Sequence, residues 1–168
     1  MAFVMELTRF QLDFDNRLVR LNPEGRKQTK KYRPTVPMTD TILPWLRQVK
    51  TNYIVTYHGD RTHSVKKTFQ RLGPKIKGLP PRVTPYNIRH TMAKELRRRG
   101  VPPWEIQGML GHKMGGYRTT EIYAKYDPTY LSAARIAIDA VMVEIEAKMT
   151  QRKLILPSQP LLAVSNEQ

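Results

Sequence analysis

Thr84-Pro85-Tyr86-Asn87-Ile88-Arg89-His90-Thr91-Met92-Ala93-Lys94-Glu95-Leu96-Arg97-Arg98-Arg99-Gly100 is the stretch that decides the fold of this chain. Threonine followed by proline is a helix N-cap with proline at the first helical position. Ile88, Met92 and Leu96 then recur every four residues, which predicts one apolar helix face that ends where Gly100 stops the helix. Pro102 and Pro103 open a second, shorter helix that carries Trp104, Ile106, Met109 and Leu110 before Gly111. On the first helix Arg89 follows Tyr86 by three residues, so the two side chains share a face.

Upstream, Leu12 and Phe14, the turn Asp15-Asn16, and Leu18 to Leu21 predict two short strands. A basic run from Arg26 to Arg33 leads into an extended Pro34-Thr35-Val36-Pro37, completing a three-stranded antiparallel ribbon whose second hairpin carries the lysines. Thr39 or Asp40 is placed to cap a helix reaching about Val49, with Ile42, Leu43, Leu46 and Val49 on one side. Tyr53 to Tyr57 is β-branched and aromatic and reads as one more strand. Ser64 caps a helix through Leu72, and the segment 75–83, with Gly78, Pro80 and Pro81, is a connector. Downstream, Leu131, Ala134, Ile138, Val141 and Ile145 mark a long helix from about Thr129 to Met149. The expected fold is α+β and mostly helical, with a small N-terminal antiparallel sheet. Residues 1–150 form the domain and 151–168 a tail.

Of 168 residues, 29 are Lys or Arg and 14 Asp or Glu, a formal net charge of +15 that attracts polyanions. Hydrophobic residues make up 40%, which supports a core and excludes a wholly disordered basic tail. The absence of cysteine excludes disulfides, thiolate zinc sites and cysteine nucleophiles. No window approaches the ~20 apolar residues of a membrane span, and Met1 to Glu6 lacks the features of a signal peptide. His58 and His63 stand five apart without a carboxylate or thiol companion, a poor metal site. The expectation is a cytoplasmic, nucleic-acid-facing domain with no cofactor, no metal and no membrane partner.

Charge directs the search for chemistry to groups that act on a phosphodiester. Arg89 offers a planar fork of donors for two phosphate oxygens. Leu110-Gly111-His112 leaves an imidazole beside a turn at a helix C-terminus, and eleven residues later stands Tyr123, within Thr119-Thr120-Glu121-Ile122-Tyr123-Ala124-Lys125-Tyr126. A tyrosine hydroxyl is a weak nucleophile, but one held in line with a phosphate bound by Arg and His needs little further activation. Tyr117, Tyr126 and Tyr130 are competitors, Tyr126 the strongest.

The run Thr84 to Ala93, then Leu110-Gly111-His112, then Thr120-Glu121-Ile122-Tyr123, resembles the catalytic domain of tyrosine recombinases of the phage-integrase family. Leu7-Thr8, the ribbon, and Thr29-Lys30 before Val36-Pro37 extend the resemblance to residues 1–131. It implies the family's DNA breaking-rejoining fold and site-specific recombination or integration of duplex DNA, in a phage or prophage setting, by cyclic tetramers. Tyr123 would form a 3′-phosphotyrosyl link, Arg89 would bind the non-bridging oxygens, and His112 would fill the His-or-Trp position that hydrogen-bonds the phosphate. Lys30 would protonate the leaving 5′-oxygen, with Lys27 and Lys31 within a register error of it. Tyr86 stands where the family has His or Lys. The family's first arginine falls at or before Met1, and Arg9 is out of register. The resemblance therefore implies a chain that is truncated or impaired, without that arginine and without the N-terminal DNA-clamping domain.

Two further expectations complete the reading. The helix at 84–99, Gly100 and the helix from Pro102 also spell helix-turn-helix, the alternative being a non-catalytic DNA-binding protein with Trp104, Glu105 and Gln107 on base edges. In the tail, Leu154-Ile155-Leu156 and Leu161-Leu162-Ala163-Val164 flank Pro157 and Pro160. The expectation is an arm docking on a neighbouring subunit, the alternatives being a strand packed on their own domain or a frayed terminus.

Overall fold

The computed structural model describes residues 2–29, 32–80, 82–112 and 127–150. A short helix α1 (Ala2–Met5) and a 3-10 turn (Arg9–Gln11) lead into strands β1 (Leu12–Asp13), β2 (Leu18–Arg20) and β3 (Thr35–Pro37). These form an antiparallel sheet in the order β1-β2-β3, with Leu12 opposite Val19 and Val19 opposite Val36. Helix α2 (Leu43–Gln48) follows. Strands β4 (Thr56–Tyr57) and β5 (Asp60–Arg61) make a hairpin through His58 and Gly59. Both turn residues have positive φ, 50° and 87°, as a tight hairpin of this length requires. Helix α3 (Lys66–Leu72) runs on into a 3-10 turn (Gly73–Lys75), and the long helices are α4 (Pro85–Arg98), α5 (Pro103–Leu110) and α6 (Ser132–Ala147). Among the described residues no helix is long and apolar enough to cross a membrane.

Two apolar clusters hold these elements. Leu7, Val19, Met38, Leu43 and Leu46 fill the space between the sheet and α2. Leu96, Val101, Ala134 and Ala137 join α4 to α6, with Met92, Ile106, Met109 and Ile138 packed around them. Polar contacts tie the two together. The Asp139 carboxylate on α6 accepts from the backbone N–H groups of Asp40 and Thr41, each at 2.9 Å, and from the Thr41 hydroxyl at 2.7 Å. Glu105 on α5 is buried and accepts from the Ala134 N–H at 2.8 Å, satisfying a donor that the first turn of α6 would otherwise leave unpaired.

The structure departs from the sequence expectations in definite places. Ile42 is 45% exposed and precedes α2, because Thr39 to Thr41 form a turn held by Asp139 and proline at position 44 starts the helix late. Only Thr56–Tyr57 of the segment 53–57 is a strand; Tyr53 makes a single bridge with Thr8. Ile88 shares the spacing of Met92 and Leu96 yet is 52% exposed. The long helix begins at Ser132, after a 3-10 turn over Pro128–Leu131. The tail, residues 151–168, lies outside the described residues.

Candidate phosphate-binding site

Helix α4 starts from a reciprocal cap. Thr84 donates its N–H to the Asn87 side-chain oxygen at 2.8 Å, and Asn87 returns its N–H to the Thr84 carbonyl at 2.9 Å. This fixed start sets Arg89 one turn in, on the side toward α5. Arg89 is half-buried, and its guanidinium donates to the Leu110 carbonyl at 2.5 Å. Leu110 is the last residue of α5, where carbonyls lack helical partners and the helix presents its negative end. The guanidinium is thus anchored by one edge, and among the described residues it has no carboxylate partner.

Gly111 ends α5 with φ 69°, and the His112 N–H reaches back to the Gln107 carbonyl at 2.9 Å. That turn delivers the His112 side chain to the region of Arg89. The imidazole is exposed at its edge, yet the packing around it and then the Arg89 guanidinium hold its pKa below the ordinary histidine value of 6.5. Without a bound anion the neutral ring is favoured.

The lysine-bearing hairpin between β2 and β3 closes against the same turn. A Cβ on Gly111 would lie 2.9 Å from Pro34 Cδ, 3.2 Å from Pro34 Cγ and 3.6 Å from the Tyr32 carbonyl oxygen, an approach only glycine permits. The hairpin base is itself held. The Gln28 side chain bonds both the carbonyl (2.9 Å) and the N–H (3.2 Å) of Arg33. The buried Arg33 guanidinium pairs with Glu6 at 2.8 Å and thereby lowers the Glu6 pKa.

Tyr86 is 59% exposed, with its ring edge-on to His90 at 4.3 Å between centroids. With Arg89, Ile88, Val4, Leu21 and Pro34 it lines an apolar cavity of about 390 Å³ between α4 and the hairpin. The structure therefore brings Arg89 and His112 together and sets Tyr86 beside the same cavity. Lys30, Lys31 and Tyr123 lie outside the described residues, and Lys27 is exposed on the hairpin. Arg9 donates to the Val49 carbonyl at 3.1 Å. Arg98 pairs with Glu95 and Arg99 with Glu144, both at 2.7 Å, so these two cations of the α4 C-terminus are partly neutralised.

The helix-turn-helix alternative is corrected at Glu105. That side chain is 4% exposed and caps α6, so it does not face base edges. Sequence reasoning also missed the contact of Gly111 with Pro34; the motif showed a helix stop at Gly111 but gave no sign of what approaches it.

The model of the phage integrase family matches residues 4–129. The chain is 28% identical over 134 residues to the tyrosine recombinase XerC of Chlamydia caviae, and 31% identical over 134 residues to that of Chlamydia muridarum; each match covers 71% of this chain. It spans about 40% of the length of these relatives. Among solved structures it resembles the Tn1549 transposon integrase in complex with transposon right-end DNA, with a TM-score of 0.55 and 21% identity over 83% of this chain and 54% of that one. That likeness shows the fold, α+β with a small antiparallel sheet. The chain belongs to the phage integrase family.

Proposed function

We propose that this chain carries the catalytic part of a site-specific DNA recombinase, of phage or prophage type, that works through a 3′-phosphotyrosyl intermediate. The supporting observation is the meeting of Arg89 and His112 at the C-terminal end of α5, with the lysine hairpin packed on the glycine between Leu110 and His112. In this scheme the Tyr123 hydroxyl gives up its proton to water, its oxygen bonds to phosphorus, and the bond from phosphorus to the 5′-oxygen breaks. Lys30 gives the proton that the leaving oxygen takes up. Arg89 and protonated His112 donate to the non-bridging oxygens, where charge accumulates in the transition state. The Tyr86 hydroxyl adds a further hydrogen bond to the phosphate. The partner is duplex DNA, on which four copies assemble.

Family membership and the net charge of +15 support this reading. Its test is duplex binding by the full chain in rising salt. Affinity should fall steeply between about 50 and 200 mM salt, with weak dependence on sequence, as phosphate contacts dictate. Arg89→Ala should weaken binding to every duplex alike. Affinity indifferent to salt would contradict the proposal.

A further inference from the structure

Leu96 on α4 is fully buried and Met92 half-buried, yet Ile88, on the same face of the helix, is 52% exposed. Ile88 borders the cavity of about 390 Å³ between α4 and the hairpin where its neighbours meet packed side chains. Met92, Leu96, Met109 and Ile138 wall that cavity from the second apolar cluster, and Val4 and Leu21 line it from the N-terminal half. Tyr86 and Ile88, both more than half exposed, stand at its opening. Among the described residues, Arg89 is the single charged group on its wall.

We propose that this cavity binds a small amphipathic monoanion, a carboxylate on an unbranched apolar chain of about ten carbons, with the carboxylate on Arg89. Size sets the chain length. At about 30 Å³ for each water-sized group in a liquid, the cavity holds about a dozen non-hydrogen atoms. The wall sets the apolar character. Apart from Arg89 and Tyr86 it is aliphatic, so water inside finds few of the partners it needs and an apolar chain displaces it at little loss. Met92 and Met109 are pliable enough to settle around that chain. Arg89 sets the head group. Its guanidinium donates to the Leu110 carbonyl and, among the described residues, has no carboxylate partner. The donors left over match the two oxygens of a carboxylate, and the Tyr86 hydroxyl at the opening is one donor more. A DNA phosphate, by contrast, brings no apolar chain and leaves the cavity unfilled. Binding of the acid stands apart from the DNA reading. Its consequence rests on that reading: carboxylate and DNA phosphate need the same Arg89 donors, so the acid competes with duplex.

Decanoate is the probe, titrated into the full chain by calorimetry. One decanoate should bind per chain, about tenfold more tightly than decanol, which has the same chain without the charge. Hexanoate should bind at least about tenfold more weakly than decanoate, since each buried methylene strengthens binding by up to about fourfold. Arg89→Leu should bring decanoate down to the affinity of decanol and leave decanol as it was. Ile88→Trp changes an exposed position, fills the opening, and should weaken both ligands at least about tenfold. Hexanoate as tight as decanoate would overturn the proposal. So would uptake of several acids per chain without saturation, or a decanoate affinity unmoved by both substitutions. Competition separates the two readings. Decanoate should displace duplex from the unaltered chain, and hexanoate should do so far less at equal concentration. Decanoate bound as described, with duplex affinity untouched, would sustain the cavity assignment and remove Arg89 from the phosphate site.

Discussion

Pro34 Cδ stands 2.9 Å from the place a Cβ would take on Gly111, so the lysine hairpin and the turn that delivers His112 share one contact surface. The glycine also holds φ at 69°, which side-chain-bearing residues adopt at a cost. Gly111→Ala meets both obstacles, and the proline ring is not a flexible tip that can swing away. The substitution should destabilise the fold by about 1–3 kcal/mol, measured by urea denaturation. It should also weaken DNA binding in the folded fraction, because the hairpin must shift. A variant as stable as the parent would show that the close approach is not required.

Glu105 is a cap supplied from another helix. Removing its carboxylate leaves the Ala134 N–H buried without an acceptor, so Glu105→Ala should cost about 1–3 kcal/mol. Glu105→Gln keeps an oxygen acceptor in place and should cost less. Thermal unfolding of the two variants checks the order. If alanine and glutamine are equally harmful, the charge matters and the hydrogen bond does not.

How much of this was legible in the sequence follows from how local each determinant is. The start of α4 is written within four residues, Thr84 to Asn87, and its stop in Gly100, so both are readable without a fold. The sheet is likewise readable, because its strands and turns are neighbours in the chain. Ile88 shows the limit: periodicity says which face of α4 is apolar, and not how far along it the covering helices reach. Glu105 and Asp139 act on partners 29 and 98–99 residues away, and nothing near them in the chain signals a cap. In the site, the motif resemblance picked out Arg89 and His112. Their anchoring depends on the α5 terminus and the hairpin meeting, which only the fold determines.

His112 sets a pH dependence with a definite sign. Its folded-state pKa is depressed, so below about 6.5 the unfolded chain binds the proton first. Stability from this group is present above that value and is lost as pH falls toward the folded-state pKa. A phosphate beside the ring favours the charged form, so DNA binding should take up a proton and affinity should rise as pH is lowered through the same window. Nuclear magnetic resonance titration of the His112 ring should give a pKa below 6.5 in the free chain and a higher one with duplex. His112→Gln should remove the pH dependence of binding. A ring pKa that stays put or falls on adding DNA would remove His112 from the phosphate site.

The covalent step is the centre of the account, and a nicked suicide duplex tests it most directly by trapping the adduct at the attacking residue. The full chain should form a protein–DNA adduct slowly, in keeping with the impaired cleavage that the resemblance implies, and the DNA-bearing peptide should contain Tyr123. Tyr123→Phe should form none, and Arg89→Ala should slow adduct formation by about 10²–10³. Adduct formation undiminished in Tyr123→Phe, or DNA carried on Tyr126 instead, would contradict it.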